Sequence, residues 1–262
     1  MTTRLIQGHR GSSEQYPENT MLSYRMALAA GAGGIEADVR RTRDGVFVLC
    51  HDPTLERTTG VRTAIAQCDW AAIAGLDASY RTRFGAAFAG HPECGVPSLE
   101  TLLDTFGDRQ TVLVLHLKAL TAADWLPLVE LVRQHGMIQR CHFFGPLAAI
   151  DTIKLHQPDC FTLNDGMPGL DRYREALENA VVRGHDAVSV SALLPEADLR
   201  RMVADIHAAG KAAHASYLSA DYDARTQMLI DAGVDFVLGN DVARMMAVFC
   251  RNGLTQTTVP QR

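Results

Sequence analysis

The stretch 187-AVSVSALLPEADLRRMVADIHAAGKAAHAS-216 sets the architecture. A short apolar, β-branched run at 187–191 is followed by an amphipathic segment opened by Pro195, and a second short run occupies 211–216. That order is one β-α-β unit, with proline in the first turn of its helix. Working outward, the same alternation holds from residue 105 to the C-terminal region and appears again near the N-terminus. Strands are expected at 5–9, 34–39, 111–118, 141–145, 160–164, 187–191, 211–216 and 235–239. Helices are expected to begin near Thr20, Ser98, Ala122, Pro146, Asp171, Pro195, Asp221 and Asp241, several of them opened by a capping Ser, Thr or Asp. Eight alternations within 262 residues favour an α/β fold closed as a TIM (β/α)8 barrel over an open doubly wound sheet.

One connection breaks the rhythm. Residues 40–97 are far longer than an ordinary βα loop of ~2–6 residues, so they must carry structure of their own. Asp44-Gly45 is a hairpin signal before the apolar run 46–50, residues 69–76 read as a short helix, and 85–97 read as loop. We therefore expect a single barrel domain over 1–262 with a small insertion after strand 2, at about 44–97, on the barrel rim.

The composition excludes several classes. With 47% hydrophobic and 21% charged residues and a net charge of −5, the chain is neither disordered nor basic enough to suggest a nucleic-acid partner. The N-terminus lacks a signal-peptide pattern, no run approaches ~18 apolar residues, and no basic amphipathic helix is evident. A cytoplasmic protein without stable membrane association is expected. The six cysteines form no C-x-x-C pair and are expected to be reduced, packed thiols. Oligomeric state is not legible.

Barrel enzymes carry their chemistry at the C-terminal ends of the strands, and polar residues concentrate there. Strand 1 ends in Gly8-His9-Arg10-Gly11, strand 2 carries Glu36 and Asp38, strand 3 ends His116-Leu117-Lys118, and the insertion's apolar run ends Cys50-His51-Asp52. Alternation puts Glu36 and Asp38 on one face, and His116 and Lys118 on one face. Two carboxylates at i and i+2 on an apolar strand need positive charge between them, either a hard divalent cation or a partner such as Arg40 or Arg41. An isolated histidine is usually a core residue, but His9 adjoins Arg10 and is flanked by glycines that let a ligand approach.

These residues resemble the glycerophosphodiester phosphodiesterases, relatives of the phosphatidylinositol-specific phospholipases C. The shared elements occur in order: His9-Arg10-Gly11, Pro17-Glu18-Asn19-Thr20, Glu36-x-Asp38, Asp44-Gly45 to His51-Asp52, and Leu55-Glu56-Arg57-Thr58-Thr59-Gly60. Val96-Pro97-Ser98-Leu99-Glu100 and Ala232-Gly233-Val234-Asp235 to Asn240-Asp241 follow. The resemblance implies hydrolysis of a glycerophosphodiester, a small soluble molecule, to glycerol 3-phosphate and an alcohol. It makes His9 and His51 the catalytic pair, Glu36 and Asp38 metal ligands, and Arg10 and Lys118 phosphate-facing cations. Such a site suits the chemistry, because an anionic diester needs positive charge on its non-bridging oxygens, a base for the nucleophile and an acid for the leaving alkoxide. Which histidine is acid and which is base stays open. Glu18, Asn19 and Thr20 are expected to stabilise the turn and cap the next helix, Asp52 either to orient His51 or to stabilise its turn, and Arg57 to anchor the insertion.

Two positions depart from the family pattern. Where relatives have a Glu-x-Lys metal ligand, this chain has His116-Leu117-Lys118. Family resemblance implies Mg²⁺ or Ca²⁺; His116 as third ligand admits Mn²⁺ or Zn²⁺, and a site without metal is the remaining option. Where relatives often have Trp-Thr, this chain has His214-Ala215. His214 is expected to contact substrate, and with Asn164, Ser189, Ser191 and Asn240 it raises a sugar phosphodiester as alternative substrate. A catalytically silent barrel that binds an anionic ligand is the alternative from another class, and an unrelated barrel enzyme acting on sugar phosphates a third.

Overall fold

A computed structural model describes residues 4–107, 110–164, 173–218 and 221–256. Its elements run β1 (Leu5–Gly8), α1 (Met21–Ala29), β2 (Gly34–Arg41), β3 (Phe47–Leu49), three one-turn helices α2 (Glu56–Thr59), α3 (Trp70–Ile73) and α4 (Arg81–Phe84), and α5 (Leu99–Phe106). The regular alternation follows with β4 (Val112–Leu117), α6 (Ala122–Gln134), β5 (Cys141–Gly145), α7 (Leu147–His156), β6 (Phe161–Asn164) and α8 (Tyr173–Arg183). It closes with β7 (Ala187–Ser191), α9 (Glu196–Ala208), β8 (Ala212–Tyr217), α10 (Tyr222–Asp231), β9 (Phe236–Gly239) and α11 (Val242–Arg251).

Eight of these strands are parallel and close on themselves, because β1 pairs with both β9 and β2. The expected TIM barrel is therefore formed. All eight expected strands are present, within a residue or two of their expected ends. The ninth, β3, lies outside the ring and pairs antiparallel with the end of β2, Val39 opposite Leu49 and Arg41 opposite Phe47. It is the second arm of the hairpin signalled by Asp44-Gly45. In the rest of the insertion the expected helix at 69–76 shrinks to the single turn α3, and the expected loop at 85–97 is preceded by a turn, α4, that no periodicity announced. Asp171, where a helix start was expected, lies outside the described residues; the helix is described from Tyr173.

Local chemistry explains the boundaries. Thr20 accepts the Ser23 amide at the start of α1, Ser98 the Thr101 amide at α5, and Asp241 the Arg244 amide at α11. A capping box between Thr121 and Asp124 opens α6. Apolar residues of the outward strand faces and the helices form the main core, from Ile6 and Ile35 to Val237 and Phe249. A second cluster fills the lower barrel interior with Leu5, Val112, Val114, Phe144, Leu163, Ala187 and Phe236. A third, including Val48, Leu55, Ile65 and Ile73, gives the insertion its own small core. All six cysteines are free and five are buried, as expected of packed thiols.

Candidate active site

The site is built from strand ends. In β2, Glu36 and Asp38 point into the barrel and are 1% and 0% exposed. One oxygen of each is already engaged: Glu36 Oε2 accepts the Arg10 amide at 2.9 Å, and Asp38 Oδ2 accepts Asn19 Nδ2 at 2.8 Å and lies 3.0 Å from Arg10 Nε. The other oxygens, Glu36 Oε1 and Asp38 Oδ1, are buried without a hydrogen-bond partner among the described residues. Both face the Nδ1 of His116 from β4, at 3.5 and 3.4 Å. The three ligand atoms lie within 4.8 Å of one another and could hold a metal ion. Two carboxylate oxygens without hydrogen bonds and an imidazole nitrogen, close to one another, fit a divalent cation.

Cations surround this cluster. Lys118 Nζ is 3.4 Å from Asp38 Oδ1. Burial opposes ionisation of Asp38, but His116, Arg10, Lys118 and Asn19 together hold its carboxyl far below the usual range. Burial alone would lower His116, yet contact with Asp38 and Glu36 raises it above its ordinary value. Arg10 holds this position with a backbone φ of 55°. That left-handed geometry turns its amide toward Glu36 while its side chain reaches Asp38.

His9 follows β1 and sits at the edge of the cluster, its Nε2 4.0 Å from Glu36 Oε2. Its Nδ1 is 2.7 Å from Asn240 Oδ1, which also accepts Ser13 Oγ at 3.0 Å. Desolvation lowers its pKa, partly offset by Glu36. His51 follows β3 on the insertion, and its Nδ1 is 2.7 Å from Asp52 Oδ1. Asp52 Oδ2 accepts Arg57 Nε at 2.5 Å. Although partial burial opposes it, the hydrogen bonds from Arg57 and His51 bring Asp52 down to about 2.

The structure thus gathers Glu36, Asp38, His116, Lys118, Arg10 and His9, and links His51 to them through other side chains. His214 is not among them. It is 2% exposed inside the barrel, its Nδ1 3.2 Å from Ser189 Oγ. Desolvation, with the nearby His116, lowers its pKa to about 4, and its Nε2 is buried without a hydrogen-bond partner among the described residues. The other polar strand ends are also occupied: Asn164 donates to the Ala176 carbonyl, Ser191 accepts from Leu193, and Asn240 serves His9. Of the turn residues, Thr20 caps α1 as expected, whereas Glu18 and Asn19 reach into the site. Sequence reasoning missed Ser13 and Tyr24, which fix Asn240 and Asn19; neither belongs to a motif with a chemical signature.

Fold and site define a (β/α)8 barrel whose mouth gathers acids, imidazoles and cations at the C-terminal strand ends. The profile of the glycerophosphoryl diester phosphodiesterase family matches residues 9–137. A glycerophosphodiester phosphodiesterase of Caldanaerobacter subterraneus subsp. tengcongensis is 36% identical over 115 residues, which span 44% of this chain and 45% of that protein. The aligned stretch is therefore less than half the length of that relative. The crystal structure of a glycerophosphodiester phosphodiesterase from Agrobacterium tumefaciens superposes with a TM-score of 0.78 at 26% identity, covering 94% of this chain and all of that one. A phosphodiesterase of Oleispira antarctica, solved with sn-glycerol-3-phosphate, has the same fold, with a TM-score of 0.79 at 23% identity, covering 95% of this chain and 97% of that one. The family profile, the Caldanaerobacter relative and the Agrobacterium structure together support the glycerophosphodiester phosphodiesterase family for the chain.

Proposed function

We propose that this protein is a metal-assisted phosphodiesterase that hydrolyses glycerophosphodiesters to glycerol 3-phosphate and an alcohol. The observation that carries this reading is that Glu36, Asp38 and His116 each bring a ligand atom within 4.8 Å of the other two, with His9 at their edge. Glu36, Asp38 and His116 would hold a divalent cation, which when bound supplies charge to the non-bridging phosphate oxygens and acidifies a coordinated oxygen nucleophile. Arg10 and Lys118 add fixed positive charge beside the same oxygens.

The two histidines have different partners, and this supports different roles for them. Asn240 Oδ1 can only accept, so His9 carries its proton on Nδ1 and leaves Nε2 free. Burial lowers the pKa of that ring, which suits the base that takes a proton from the nucleophile. His51 has the carboxylate of Asp52 on its Nδ1, which orients the ring, and we give it the role of acid toward the leaving alkoxide. The substrate is a small phosphodiester. Asn164, Ser189, Ser191 and Asn240 each make a hydrogen bond within the protein, and the relative solved with glycerol 3-phosphate supports a glycerol ester over a sugar ester.

The deciding experiment is release of glycerol 3-phosphate from a panel of glycerophosphodiesters. It is run after chelation and after return of Mg²⁺, Ca²⁺, Mn²⁺ or Zn²⁺, with sugar phosphodiesters alongside. Metal-restored turnover of glycerol esters is expected. Ligand binding with no turnover under any metal would establish the silent barrel instead.

A further inference from the structure

We propose that Arg57 is a positioning residue that couples the insertion to the barrel, holding His51 in register with His9 and the carboxylates. This rests on the phosphodiesterase reading above. His51 is the one member of the proposed machinery that follows a strand outside the ring: β3 pairs with the protruding end of β2 and, on its other side, bridges Val48 to Ser98. Arg40 secures its main chain by donating to the carbonyls of Cys50 and His51. Among the described residues, Asp52 is the side chain that hydrogen-bonds the His51 ring. The orientation of His51 is therefore only as firm as that of Asp52.

Arg57 supplies the firmness. Its Nε donates to Asp52 Oδ2 at 2.5 Å, and its two terminal nitrogens donate to Glu18 Oε2 and Oε1 at 2.7 and 2.8 Å. Glu18, 6% exposed, belongs to the barrel's first connection, and its Oε1 also takes Arg10 at 2.9 Å. Arg10 in turn lies 3.0 Å from Asp38. The result is one chain, His51–Asp52–Arg57–Glu18–Arg10–Asp38, that crosses from insertion to barrel with Arg57 as its only insertion-side cation. The Tyr80 ring lies 5.1 Å from the Arg57 guanidinium carbon, fixing the plane of the fork. All three guanidinium nitrogens are used in directions that one ammonium cannot reproduce. The side-chain partners of Arg57 are Asp52, Glu18 and Tyr80 rather than Glu36, Asp38 or His116, so it acts through His51.

The test compares wild type with Arg57→Lys, Arg57→Ala and Glu18→Gln on a glycerophosphodiester, measuring kcat and KM separately, with circular dichroism as folding control. A misplacement of about 1 Å is enough to cost roughly 10²-fold. We expect kcat for Arg57→Lys and Arg57→Ala to fall by about 10- to 100-fold, with KM changed less than threefold. Added guanidinium ion should restore part of the Arg57→Ala loss. Arg57→Ala combined with Asp52→Asn should cost no more than the larger single loss, since both release the same ring. If Arg57→Ala does not fold, Arg57→Lys and Glu18→Gln decide, because they keep the cation or the side-chain shape. Full kcat in Arg57→Lys, or a KM rise at unchanged kcat, overturns the positioning role while leaving the phosphodiesterase intact. A wild type that turns over no phosphodiester overturns both.

Discussion

His116 Nδ1 faces Asp38 Oδ1 at 3.4 Å, and that oxygen has no hydrogen-bond partner among the described residues. The imidazole thus stands where an acidic ligand would complete a three-carboxylate set, and the proposed metal site carries one negative charge fewer. His116→Glu should restore that charge and strengthen Mg²⁺ or Ca²⁺ binding by roughly tenfold or more, while weakening Zn²⁺. Calorimetric titration of the metal-free protein with each ion checks this. Equal affinities in wild type and variant would remove His116 from the ligand set.

The histidine pair should separate chemistry from binding. His9→Ala and His51→Ala are each expected to lower kcat by about 10²–10⁴-fold, the usual worth of positioned proton transfer. Affinity for glycerol 3-phosphate should stay within a few fold, since Arg10 and Lys118 remain. Single-turnover kinetics with product-binding assays test it, and a variant retaining wild-type kcat would strike its histidine from the mechanism.

Inside the barrel, His142 stacks on Phe161 at a centroid distance of 3.8 Å, and its Nε2 has no partner among the described residues. Desolvation, with His214 nearby, lowers its pKa from 6.5 to about 3. Between those values the unfolded chain binds a proton that the folded chain refuses, so this contribution to stability is present above pH 6.5 and falls as the pH drops toward 3. The slope reaches at most about 1.4 kcal/mol per pH unit. His142→Phe should flatten it, and urea midpoints at pH 7.5 and 5 for both proteins measure the difference. An unchanged pH dependence in the variant would show that His142 does not contribute.

Gly11 adopts a φ of +88°, and a Cβ there would lie 2.4 Å from Ser23 Oγ and 2.5 Å from the Ser23 carbonyl carbon. Gly11→Ala therefore combines a left-handed backbone with a clash against α1. It should destabilise by about 1–3 kcal/mol or more and displace the neighbouring Arg10 amide from Glu36. Chemical denaturation reads the first effect and metal affinity the second; a variant as stable as wild type would be incompatible with this packing.

The barrel was legible because its strands are short apolar runs at regular intervals, and that periodicity follows from burial on both strand faces. Glu36, Asp38 and His116 were legible too, since alternation along a strand fixes which side chains share a face whatever the rest of the chain does. The insertion was read less well. Single turns such as α3 and α4 are too short to show a period, and their conformation is set by the small core they cover. His214 shows the limit most clearly: its position on β8 was evident, but its depth in the barrel was not. Depth depends on how eight strands stagger, and it leaves the His214 ring 2% exposed beside Ser189 Oγ.

Sequence alone determined the closed parallel sheet and the tier of acids and imidazoles at its mouth, because both follow from patterns local to single strands. Tertiary structure decided which oxygens are left without partners and how Arg57 ties His51 to Asp38. Those facts depend on side chains from distant segments meeting at one place, and no local pattern encodes such a meeting.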